Sequence, residues 1–104
     1  MGNTYKRVNQ ASVAAGGGGG SGTPYSTVFN VGSWNGPSSG FYSITVLAVS
    51  HNKGTSPGVQ VFELDGALYG QVETIISING SGDVEVKVSS SPDNRFDGKI
   101  VILD

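Results

Sequence analysis

Serine, histidine and aspartate are the residues that would carry chemistry in this chain, and their spacing decides whether they can. Gly36-Pro37-Ser38-Ser39-Gly40 has the letters of a nucleophile elbow, a sharp strand-to-helix turn that lifts a serine hydroxyl clear of a sheet. Here the residues that follow read as a strand, and Pro37 constrains the backbone beside Ser38, so a turn is expected and not a nucleophile. His51 is the only histidine. It would complete a triad with Asp65, Asp83, Asp93 or Asp97, but a serine-rich chain makes such combinations by chance. A histidine at a strand end, before a turn, is expected to bond the loop backbone. The chain is therefore expected not to be an enzyme.

Phosphate and metal chemistry have little to stand on. The glycines from Gly17 to Gly22 satisfy G-x-G-x-x-G only because almost any spacing fits polyglycine, and no βαβ unit surrounds them. Asp93-Asn94-Arg95-Phe96-Asp97-Gly98 has the outline of a calcium loop, yet Arg95 takes the third ligand position and the distal glutamate is missing. With no cysteine and a single imidazole, no metal and no cofactor is expected. Asp93 and Asp97 are expected to cap turns, with Arg95 salt-bridged nearby. Sugar binding is the remaining chemistry: Trp34, Tyr42 and Tyr69, with loop amides and carboxylates, would supply a glycan contact. The competing role for Trp34, the only tryptophan, is to close one end of a core, and that is the expected one.

Composition narrows the partners. A net charge of −2 and 13% charged residues leave no basic face for nucleic acid. No window is long and apolar enough to span a bilayer, and the opening Met-Gly-Asn-Thr-Tyr-Lys lacks the apolar core of a secretion signal. Lys6 also breaks the myristoylation pattern, so no membrane insertion is expected. A folding unit of ~80 residues has a marginal core, and without cysteine its cheapest stabiliser is association with copies of itself.

The elements that must position these residues are strands. Tyr25, Thr27, Phe29 and Val31 alternate with Ser26, Val28 and Asn30, and residues 32–40 read as a turn-rich loop. Residues 41–50 read as the longest strand, apolar on both faces: Tyr42, Ile44, Val46 and Ala48 against Phe41, Leu47 and Val49. That pattern predicts a central strand or a subunit interface formed by Phe41, Leu47 and Val49. After the loop 51–58, Val59 and Val61 oppose Gln60, Phe62 and Leu64. Asp65-Gly66 signals a turn, residues 71–78 read as one alternating strand, and Asn79-Gly80-Ser81-Gly82 is the strongest hairpin signal. Val84, Val86 and Val88 then point inward, and residues 99–103 close the series. About six strands without a helical window predict an all-β fold, a small antiparallel β-sandwich of jelly-roll-like or barrel-like form spanning residues 24–104. Residues 1–23 read instead as a flexible glycine-rich anchor and linker, in which Tyr5, Lys6, Arg7, Val8 and Val13 would dock to a partner.

Residues 44–103 resemble a domain of bacteriophage tail-fibre and other appendage proteins. The likeness lies in His51-Asn52-Lys53-Gly54-Thr55, in Val59-Gln60-Val61-Phe62-Glu63 after it, and in the late strand Asp83-Val84-Glu85-Val86-Lys87-Val88. It implies a non-enzymatic virion structural protein, a tail fibre, tail component or capsid decoration. It also implies a homotrimer whose partners are its own copies, other virion proteins and, in the alternative reading, a host surface glycan. The expected location is the virion, after synthesis in the host cytoplasm.

Overall fold

The computed structural model describes residues 23–104; the anchor residues Tyr5, Lys6, Arg7, Val8 and Val13 and the glycines before Thr23 lie outside them. The strands are β1 (Tyr25–Phe29), β2 (Asn35–Ser38), β3 (Phe41–Val46), β4 (Gly58–Asp65), β5 (Leu68–Val72), β6 (Ile75–Ile78), β7 (Val84–Ser89) and β8 (Gly98–Leu103), with one helical turn, α1 (Ala48–His51), between β3 and β4. They form two four-stranded antiparallel sheets, ordered β1-β8-β4-β5 and β2-β3-β7-β6. The chain is a small β-sandwich, as its alternation predicts.

Period-two patterning sets which side chains meet between the layers. In the first sheet Val61 pairs with both Ile100 and Val72, so these three share the inner face. In the second, Tyr42, Ile44 and Val46 pair with Val88, Val86 and Val84. Val84, Val86, Ile100 and Ile102 are wholly buried. Phe29, Trp34 and Phe96 close one end, each ring edge-on to the others at 5.3–5.5 Å between centroids, and Trp34 Nε1 donates to the Phe96 carbonyl at 3.0 Å. Trp34 is thus a core residue.

The expected strand over residues 41–50 needs correction. It stops at Val46, and Leu47 leads into α1, whose first amide, from Ala48, donates to the Asp83 carboxylate at 2.8 Å. The two-sided apolar pattern arose because a strand and a helical turn, with different periods, were read as one element. The segment 71–78 is also two strands. β5 borders one sheet and β6 the other, and the polar pair Glu73-Thr74 carries the chain between them. Residues 32–40 hold the edge strand β2, and Val31 belongs to a 3₁₀ turn, 40% exposed, outside the β1 alternation.

Candidate functional site

The motif of the resemblance builds a corner. His51 ends α1 and is 2% exposed, and its ring bonds backbone on both sides. Nδ1 accepts from the Lys53 amide at 2.9 Å, which leaves Nε2 to donate to the Gly82 carbonyl at 2.7 Å. Asn52 takes a left-handed conformation at φ 56° and Gly54 at φ 80°, which turns the chain toward β4. Across from them Asn79 Oδ1 accepts from the Ser81 and Asp83 amides, closing the β6–β7 hairpin. The Asp83 carboxyl is held below its ordinary value, first by the Ala48 amide and then by the Asn79 side chain. Both ring nitrogens of His51 are therefore committed to the backbone. Ser38 lies exposed at the end of β2, with a strand and not a helix following.

The loop after β7 is held by its own charges. The Asp93 carboxylate accepts from the Arg95 amide, and from Arg95 Nε and Nη2 at 3.0 and 2.7 Å. The Arg95 side chain pulls Asp93 down to about 2, while Asp93 raises Arg95 in return. The guanidinium lies 4.3 Å from the centre of the Tyr42 ring. Asp97 accepts from the Val31 amide at 2.9 Å, so both aspartates cap backbone turns. Among the described residues no group of three or more histidine, cysteine or acidic side chains is placed to hold a metal ion.

Beside this loop opens a groove of about 600 Å³, walled by Phe41, Glu63, Glu73, Thr74, Asn94 and Arg95. Lys87 also lines it, with its Nζ 5.2 Å from the Phe41 ring centre. The Thr74 hydroxyl is the only buried side-chain polar atom among the described residues without a hydrogen-bond partner. Sequence reasoning did not assemble this groove, because its walls come from five separate stretches of chain. The one local signal was Glu73-Thr74, a polar pair between apolar runs.

The residues expected to bind glycan do not share a face. Trp34 is buried, and Tyr42 packs against the core beneath Arg95. Tyr69 stands 39% exposed on β5, with Lys99 Nζ 4.4 Å from its ring centre, on the side of its sheet away from the core. Nor do the expected interface residues form one patch. Phe41 begins β3 and lines the groove, while Leu47 and Val49, 50% and 79% exposed, lie beyond the other end of that strand.

A different apolar surface is open. All four residues of β6 are exposed, with Ile75 at 48%, Ile76 at 37% and Ile78 at 39%. β6 ends its sheet, so one of its edges has no neighbouring strand among the described residues. Comparison with family models, with curated proteins and with solved structures found no match.

Proposed function

We propose that this chain is a non-enzymatic structural protein of a bacteriophage particle, a tail-fibre, tail or capsid-decorating component, whose β-domain associates with copies of itself. The placement in a phage particle rests on the resemblance of residues 44–103, and the self-association rests on β6. Edge strands are ordinarily blunted by proline, charge, a bulge or a cover. β2, at the other end of the same sheet, carries Pro37 and a register irregularity between Asn35 and Ser38. β6 is Ile-Ile-Ser-Ile, with no proline, charge or bulge and with no cover among the described residues.

A second copy fits that edge in a defined register. Ile76 and Ile78 pair with the buried Val86 and Val84, so both sit on the core-facing side of their sheet. A two-fold axis normal to the sheet, placed at Ser77, sets Ser77 against its copy and each Ile76 against the other chain's Ile78. The exposed isoleucine area then leaves water, worth about 25 cal/mol per Å² before the costs of association. A threefold fibre of the kind the resemblance implies would need head-to-tail contacts instead.

Light scattering coupled to size exclusion measures the outcome. The intact chain is expected to run at twice its own mass and the Ile76→Lys/Ile78→Lys variant as a monomer. Both side chains are already partly exposed, so that variant should melt as a native domain does. A monomeric parent at micromolar concentration overturns self-association, and an oligomer indifferent to both lysines moves the interface away from β6. Absence of the chain's density from an intact particle overturns the virion assignment.

A further inference from the structure

We propose that the groove beside the Asp93 loop is a binding site for a neutral saccharide. Its volume of about 600 Å³ lies within the range of small-molecule sites, about 300–1,000 Å³. The charges along its walls are mixed. Glu63, Glu73 and Asp93 stand with Lys87 and Arg95, and Asp93 is already paired with Arg95, so the groove presents no field of one sign to a strongly charged ligand. A purely apolar ligand would strip water from these groups without replacing their hydrogen bonds. A polyol is the chemistry that satisfies mixed walls, because each hydroxyl both donates and accepts. Carboxylates at Glu63 and Glu73 accept from hydroxyl groups, and the Asn94 amide serves either direction. The Phe41 ring supplies an apolar surface for the C–H face of a sugar.

Two further features suit this role. Arg95 is ordered in advance by Asp93 on one side and Tyr42 on the other, so holding it in place costs a ligand little entropy. Thr74 lines the groove, and its hydroxyl is buried there without a hydrogen-bond partner. The site is separate from the aromatic set Trp34, Tyr42 and Tyr69, and it does not rest on self-association through β6.

The test is amide chemical-shift perturbation in the isotopically labelled full chain, titrated separately with glucose, galactose, mannose and N-acetylglucosamine. At least one sugar is expected to give saturable shifts centred on Thr74, Ile75, Asn94 and Arg95, with Kd about 1 mM for so open a groove. Glu73 and Asn94 are exposed, so Glu73→Gln/Asn94→Ala should fold normally, and it is expected to weaken binding about tenfold. Tyr69→Ala, on the other sheet, should bind as the parent does. The proposal is overturned if none of the four sugars shifts these amides, if the double variant binds undiminished, or if Tyr69→Ala alone abolishes binding.

Discussion

Gly98 is where β1 and β4, the two strands flanking β8 in its sheet, crowd a single backbone position. It is buried at the start of β8, and a Cβ built there would overlap the Phe62 carbonyl of β4 and stand 3.1 Å from the Phe29 ring. Neither neighbour can yield, since one is backbone and the other is locked in the aromatic cluster with Trp34 and Phe96. Gly98→Ala is therefore expected to cost stability at the upper end of about 1–3 kcal/mol. Gly70→Ala, where an added Cβ meets nothing within 4 Å, should stay within about 0.5 kcal/mol. Urea midpoints for the two variants check this, and equal midpoints would show that the β4–β8 approach tolerates a methyl group. From the letters alone the two glycines look alike, because what separates them is a carbonyl thirty-odd residues away.

Among the elements, α1 and the β6–β7 hairpin hold one another through Asp83 and His51. The helical turn has too few residues to be stable alone, and its first amide is satisfied by a carboxylate in the β6–β7 turn. Because the Asp83 pKa is depressed in the fold, its contribution is present above the ordinary value of 3.8 and is lost as pH falls through the lowered value. Asp93, depressed to about 2, acts in the same direction, its contribution being lost as pH falls from 3.8 through about 2. The parent's melting temperature should thus fall steeply with acid below pH 3.8, and Asp83→Asn should show a shallower fall with a lower plateau at neutral pH. Thermal melts across that range provide the measurement. Coincident slopes would mean that the Ala48 amide gains nothing from the charge. The sequence marked the hairpin clearly and identified a backbone-bonding histidine, but it ran β3 into α1. Apolar letters at Leu47, Ala48 and Val49 are compatible with either period, and the capping carboxylate that selects the turn lies on β7's side of the fold.

At the scale of the whole molecule, every buried apolar side chain among the described residues lies between Phe29 and Ile102. A chain lacking residues 2–22 is accordingly expected to keep the parent's circular dichroism and melting, and a truncated chain that unfolds would place a structural strand before Thr23. Alternation determined the fold class by itself: Val84, Val86 and Val88, and likewise Ile100 and Ile102, can bury together only as one face of a strand. Asn79-Gly80-Ser81-Gly82 likewise determined a hairpin, since its side-chain acceptor and positive φ are local properties. Tertiary structure alone decided which strands sit at the edges. Residues 71–78 alternate acceptably as one strand, and only the pairing of β5 with β4 and of β6 with β7 divides them between sheets and leaves the β6 isoleucines uncovered. It alone gathered Phe41, Glu63, Thr74 and Arg95 around one groove, because loop closure joins residues whose separation along the chain carries no periodic signal. Local sequence sets φ, ψ and the side of a strand; burial and convergence depend on where distant strands dock.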